Sequence, residues 1–465
     1  MQGAEIEAVA DPAATEATPV DAFETSSYAG EPDYPEGGLS AWLVVFGAWC
    51  AMIPSMGLLN TIGVLQAWVA EHELKHYSES NVGWIFSTYA FFLYIGGAQI
   101  GSVFDRYGAK PLIIPGSIGM VASTMCMSVS KGAYLVLYTC QCPSIVQYAA
   151  SDKTQPSDPT RPEYYQFLLS FGVLGGLSAS LLFTPAVSAV GHWFCKRRAL
   201  ATGIACTAGG SGGIAFPFII LYLAPSIGFA WAMRIIGFIN AGMCLCACLL
   251  LRTRIPPSPH AGAAIDVRAL WRDAPYAATT LAIFLVEFAV FIPLTYVSSY
   301  ALRAGVAPQH AYRLIALLNV GSVPGRALPG YVADRFGRFN VMIATACVCA
   351  LVVLALWLPA GASEASITAF AVLFGFWSGA AISLTPVCVA QVCRIEDYGK
   401  RNGTTFSLAS FAALVGIPVA GAILGAEGAE YTGLIVFGGA MYAAAAAAFV
   451  VARAIAGPKS WRALF

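Results

Sequence analysis

Apolar stretches of about 20 residues or more return at regular intervals between residues 40 and 453, each closed by charges or turn residues. A helix crosses the roughly 30 Å of lipid hydrocarbon in about that length. The pattern predicts twelve spanning helices, at 40–69, 82–104, 111–130, 165–190, 198–224, 229–251, 276–301, 310–333, 339–358, 365–390, 403–425 and 431–453. The chain is therefore read as an all-α integral membrane protein. A polar, Pro-rich cytoplasmic connection at 252–275 divides a first six-helix bundle, 40–251, from a second, 276–453. Residues 1–39 form an acidic tail with no apolar core of a signal peptide, expected to be disordered, and 454–465 form a short second tail. The polar stretch 132–162, centred on Ser151-Asp152-Lys153-Thr154-Gln155-Pro156, interrupts this rhythm. It reads as an atypical insertion, either translated intron sequence or an external loop.

Composition sharpens the class. Hydrophobic residues make up 58% of the 465 residues and charged residues 11%, too little polar surface for a water-soluble fold of this size. Lys plus Arg and Asp plus Glu are 25 each, so no basic excess exists to follow a nucleic-acid backbone. Most of the 13 cysteines lie in apolar runs and read as small packing residues, not metal ligands or a disulfide framework. No cofactor and no metal are expected.

The cationic residues orient the chain. Seventeen of the 25 Lys and Arg fall in connections that share a side with both termini, among them Arg106, Lys110, Lys196, Arg197, Arg198, Arg335 and Arg338. The positive-inside rule places that side, and both termini, in the cytoplasm. The sequon Asn402-Gly403-Thr404 then lies on the cytoplasmic side and is expected to stay unmodified.

One segment occurs twice. Gly101-Ser102-Val103-Phe104-Asp105-Arg106-Tyr107-Gly108 returns 229 residues later as Gly330-Tyr331-Val332-Ala333-Asp334-Arg335-Phe336-Gly337, each copy between the second and third helix of its half. That is the mark of two pseudo-symmetric six-helix units. Gly101 and Gly330 allow close helix approach. Asp105 and Asp334 can accept hydrogen bonds at a helix start or pair with Arg106 and Arg335. Gly108 and Gly337 permit a tight turn.

This repeat resembles the loop signature of the major facilitator superfamily. Two further stretches are similar to signatures of its monocarboxylate transporter family, in the fungal branch. They are Glu36-Gly37-Gly38-Leu39-Ser40-Ala41-Trp42, before the first helix, and His192-Trp193-Phe194-Cys195-Lys196-Arg197-Arg198-Ala199-Leu200-Ala201-Thr202-Gly203, before the fifth. The resemblance covers about residues 36–455 and implies a secondary carrier holding its solute between two halves. The sequence departs from animal members at two positions: Asn60 stands where they carry a Lys, and Ser322 where they carry an Asp.

Glu287, midway in Leu281-Ala282-Ile283-Phe284-Leu285-Val286-Glu287-Phe288, and Arg326, in Asn319-Val320-Gly321-Ser322-Val323-Pro324-Gly325-Arg326, lie inside spans, where an ionisable group must pair, face a cavity or shed its charge. Glu287 is the candidate proton carrier and Arg326 the candidate anchor for an organic anion. The prolines and glycines around Arg326 suggest a locally opened helix with free carbonyls. Asn60 is the third site candidate, chosen among Gln66, Gln99 and Asn319 for its position in the resemblance. The glycines 203, 209, 210, 212 and 213 read as helix packing, not as a phosphate loop. Lys196, Arg197 and Arg198 read as an anchor at anionic headgroups, and the Asp105/Arg106 and Asp334/Arg335 loops as a cytoplasmic latch.

The expected function is secondary-active transport of a small organic solute, an organic acid or monocarboxylate, by alternating access and proton-coupled. The alternatives are an efflux carrier for a secondary metabolite and, from another class, a transporter-like membrane receptor. The expected setting is the plasma membrane in preference to the vacuole, as a monomer in the lipid bilayer. No enzyme chemistry is expected, because the five histidines sit in connections or at span ends.

Overall fold

The computed structural model describes residues 34–77, 79–129, 164–254, 272–426 and 430–457. The insertion at 132–162, the acidic residues 1–33 and most of the central connection lie outside the described residues.

Among the described residues, twelve long helical segments follow the apolar runs. They are α1 (Leu39–Glu73), α2 (79–107, interrupted at Gly96), α3 (Lys110–Val129), α4 (Tyr164–Gly191), α5 (Arg198–Ile227) and α6 (Phe229–Leu250), then α7 (Ala274–Arg303), α8 (Pro308–Phe336), α9 (Arg338–Trp357), α10 (Glu364–Gln391), α11 (Tyr398–Ala426) and α12 (Thr432–Ala456). Ten are long and apolar enough to span a bilayer. The other two are α2, broken at Gly96, and α8, which carries Arg313, Asn319, Arg326, Asp334 and Arg335.

The helix ends show how the sequence sets the boundaries. Gly108 and Gly337, equivalent in the repeat, take φ of +80° and +91°, which side-chain-bearing residues rarely adopt. Each stops its helix by donating to the carbonyl four residues back, Gly108 to Phe104 at 2.7 Å and Gly337 to Ala333 at 3.0 Å. The same turn thus reverses the chain in both halves. The seventh helix starts behind Asp273, whose carboxylate accepts from the Tyr276 amide at 3.4 Å.

The halves α1–α6 and α7–α12 meet chiefly along α5 against α8 and α2 against α11. Glycine makes both seams close. A Cβ on Gly203 would collide with the Arg326 carbonyl, one on Gly213 would lie 2.6 Å from Asn319, and one on Gly403 would strike the Gly97 carbonyl. Within the first half, the Gly212 Cα lies against the Gly57 backbone, at a π-helical turn (Ile53–Gly57) that accommodates Pro54. The α8 stretch around Pro324 and Pro329 is not opened, contrary to expectation: the helix is continuous from Pro308 to Phe336. Its glycines serve packing instead, with Gly321 and Gly325 set against the α10 carbonyls of Val372 and Phe376.

Tight α1–α5 packing gives a test. Gly212→Leu forces its side chain into the Gly57 backbone and should cost about 1–3 kcal/mol, lowering the thermal unfolding midpoint in detergent. Gly242→Ala on α6, where an added Cβ meets nothing within 4 Å, should leave that midpoint unchanged or raise it.

Candidate functional site

At one end of the bundle the repeated Asp residues make matching contacts across the two halves. Asp105, on the last turn of α2, accepts from the backbone amides of Gly399 (3.1 Å) and Lys400 (2.7 Å), at the start of α11. Asp334, on the last turn of α8, accepts from Ala199 (3.0 Å) and Leu200 (2.8 Å), at the start of α5. The first amides of a helix have no partner within it and carry the positive end of its dipole, so a carboxylate there satisfies both needs. Gly101 and Gly330 bring the backbones together: a Cβ on Gly101 would strike the Gly399 carbonyl, and one on Gly330 would lie 2.5 Å from the Ala199 carbonyl.

The neighbouring cations behave differently from expectation. Arg106 and Arg335 are exposed and lie over the rings of Tyr107 (5.3 Å) and Tyr331 (4.3 Å). The cation beside Asp334 is Arg338, with Nε at 3.5 Å. Arg338 also donates to Gln391 Oε1 at 2.5 Å and to the Cys195 carbonyl, so it ties α9 to the end of α10 and to the loop before α5. Lys196 and Arg197 are exposed, as a headgroup anchor requires, but Arg198 is buried. Its guanidinium donates to the carbonyls of Phe194 (2.9 Å), Gly191 (3.4 Å) and, in the other half, Ala390 (3.5 Å). It is a seam residue and not a lipid anchor.

The two stretches that resemble transporter signatures touch each other. Glu36 accepts from the amides of Cys195 (2.8 Å), Lys196 (2.6 Å) and Arg197 (3.1 Å), immediately before α5. The Glu36-Gly37-Gly38 turn achieves this with φ of 51°, 156° and 84°, and the Trp42 and Phe194 rings pack at 5.2 Å. The start of α5 is thus held by two carboxylates, one from each half.

Deeper in the membrane, Asn60 and Arg326 converge. A Cβ on Gly209 of α5 would lie 3.0 Å from Asn60 Nδ2 and would collide with Arg326 Nη1. Arg326 is 3% exposed and donates from Nη1 to the Cys206 carbonyl at 2.7 Å, so it points into the seam and does not snorkel. Its own carbonyl accepts from Ser383 at 3.1 Å. Glu287, 1% exposed on α7, lies within electrostatic reach of Arg326 but makes no ion pair with it among the described residues. Glu287 Oε1, Arg326 Nε and Asn60 Nδ2 are buried without a hydrogen-bond partner. Tyr94 on α2 is within reach of both charges. It stacks on Phe406 at 5.4 Å and meets Phe183 edge-on at 6.2 Å, an aromatic cluster that joins α2 and α4 to α11 across the seam. The sequon residue Asn402 is 0% exposed inside α11, out of reach of a glycosylating enzyme.

The Major Facilitator Superfamily profile matches residues 39–416. The chain belongs to that superfamily. An MFS transporter of Aspergillus flavus, asaE, is 36% identical over 428 residues, covering 91% of this chain and 89% of its own. The fujikurins efflux protein of Gibberella fujikuroi is 35% identical over 408 residues, covering 88% and 81%. Among solved structures, the E. coli fucose:proton symporter FucP superposes with a TM-score of 0.64 at 15% identity, over 89% of this chain and 99% of that one. Membership makes the chain a multi-pass membrane transporter and not an enzyme.

The Glu36 contact predicts a stability effect. Glu36→Gln keeps the shape but removes the charge from three amide contacts and should lower the unfolding free energy by about 1 kcal/mol. Differential scanning of the purified protein measures it, with Glu71→Gln, away from this contact, as control.

Proposed function

We propose that this superfamily member is a proton-coupled carrier that moves an organic acid by alternating access, working outward as an efflux system. A single observation carries the reading: a carboxyl and a guanidinium face the seam between two halves, both buried, each with an atom lacking a partner. A buried charge that structure alone required would be fully paired, because removing one partner costs several kcal/mol. Unpaired atoms at this depth fit groups whose partner is the cargo or a proton.

In this reading Arg326, which keeps its charge, receives the anionic end of the solute. Glu287 takes up and gives back a proton as the site faces each side in turn, and Asn60 supplies a neutral donor. The closed cytoplasmic face is one of two end states. The Asp105 and Asp334 caps, with Gly101 and Gly330 beneath them, hold it shut, and their release lets the halves rock apart. Arg106 and Arg335 lie outside the latch proper and mark the cytoplasmic surface. Both termini are cytoplasmic and the carrier works as a monomer in the plasma membrane.

The monocarboxylate-type reading rests on the contact between the Glu36 and His192 stretches. Efflux is favoured over uptake by the similarity to a named efflux protein. It is also favoured because Asn60 and Ser322 stand where animal monocarboxylate carriers hold charges; Ser322 here only donates to the Asn319 carbonyl, at 3.0 Å. Uptake of a small monocarboxylate is the second reading.

The test uses proteoliposomes and the solute that accumulates inside a deletion strain. Glu287→Gln should carry that solute with a flux that varies less between pH 5.5 and 7.5 than that of the parent protein. Arg326→Gln should lower flux by at least roughly tenfold, the loss of one charge-assisted contact. A Glu287→Gln profile that follows the parent would remove the proton role.

A further inference from the structure

His192 closes α4 at the point where three helices of the cytoplasmic seam meet. Its side chain is 5% exposed, its ring lies 5.3 Å from that of Phe104 on α2, and its Nδ1 has no hydrogen-bond partner. Phe104 adjoins the Asp105 cap, and Gly191, next to His192, packs against the Tyr398 ring at the start of α11, where a Cβ would come within 2.8 Å. One turn further along α11, Asn402 is buried with both amide atoms unpartnered. This layer is thus enclosed only while α2, α4 and α11 are together.

We propose that His192 is a second proton-binding site of the carrier, empty while the cytoplasmic face is closed and filled from the cytoplasm when the face opens. A protonated ring carries a charge and two donors, and the closed seam offers Nδ1 no acceptor. The charged and titratable groups on the elements packed here are Arg198 at the start of α5, Asp105 next to Phe104 on α2, Tyr398 beside Gly191 on α11, and Cys393 after α10, which interacts with Arg198 and Asp105. Of these, Arg198 acts on the ring by like-charge repulsion. Burial first, and Arg198 second, push the His192 ring from 6.5 down to about 4.

The sign follows from linkage. A base held below its hydrated value favours the closed form at high pH, and that preference is lost as pH falls through the hydrated value. Between pH 7.5 and 5.5 His192 should raise the ratio of open to closed cytoplasmic faces about tenfold. A cell exporting acid would then load its carrier faster as its cytoplasm acidifies. This inference deepens the alternating-access reading and rests on it.

The experiment measures the distance between spin labels at Tyr107→Cys and Glu396→Cys, both on the cytoplasmic surface, in a background stripped of labelling thiols. Open and closed populations are compared at pH 7.5 and 5.5 with His192 present and as His192→Gln. Asp105 also titrates in this layer, but its contribution is common to both proteins and cancels in the comparison. The expected result is a pH-driven change in the population ratio that differs about tenfold between the two. His192→Asn serves as a second neutral variant should His192→Gln not fold. An equal pH response in parent and variant overturns the proposal, as does a shift by the same factor at both pH values, which marks a packing role. A single unchanging distance under every condition instead sinks alternating access itself, so the two failures are distinguishable.

Discussion

Two helix starts without partners are the constraint on which the seam between the halves depends. The first amides of α5 and α11 cannot bond within their own helices, and closure of the halves takes them away from water. Each receives a carboxylate from the opposite half, Asp334 for α5 and Asp105 for α11. Without those acceptors, the glycine-lined approach of α2 to α11 and of α5 to α8 would bury bare donors. Because the acceptors sit on the partner half, the contacts exist only in this arrangement. Water could replace them at modest cost if the halves parted, as the proposed latch requires.

The same seam creates the deep site. The glycines at 203, 209, 210 and 213 on α5 leave the room that Arg326, Asn319 and Ser322 of α8 occupy. A larger residue at Gly209 would displace both Asn60 and the Arg326 guanidinium. Arg326 is partly satisfied by the Cys206 carbonyl, which fixes its direction while leaving Nε open. Glu287 approaches from α7 without closing an ion pair. A completed pair would neutralise the layer; as it stands, each group keeps a buried atom without a partner. The Asp caps and the buried charged pair therefore belong to one interface, which the Tyr94, Phe183 and Phe406 rings also help to fill.

Much of this was legible in the chain. Apolar run lengths predict the helices to within a few residues, since lipid thickness sets length directly; α11 starts at Tyr398, not at 403, because its polar first turn, with Lys400 and Arg401, carries no hydrophobic signal. The repeat identifies Gly108 and Gly337 as turns, because that role needs only local chemistry, and leaves both Asp residues open as helix-start acceptors or partners of Arg106 and Arg335. Partners are another matter. Arg106 and Arg335 follow the Asp residues in sequence but face solvent, since successive helical positions point about 100° apart. Arg338 and Arg198 take up the seam, and His192 sits beneath it, by tertiary juxtaposition that the repeat cannot show: 229 residues before Arg338 stands Ala109. Prolines near Arg326 suggested an opened helix, yet packing of Gly321 and Gly325 on α10 keeps α8 whole.

Asp105 and Asp334 bridge the two halves, and as the proposed latch they keep the deep site from the cytoplasm. The most direct measurement is the rate at which a membrane-impermeant thiol reagent, applied to the cytoplasmic face of inside-out vesicles, modifies Asn60→Cys in a background freed of reactive thiols. With Asp105 and Asp334 intact the rate should be low, and in the Asp105→Asn, Asp334→Asn double variant it should rise by roughly tenfold or more, the loss of about 1–2 kcal/mol of closure. An unchanged rate in a folded double variant would contradict the account.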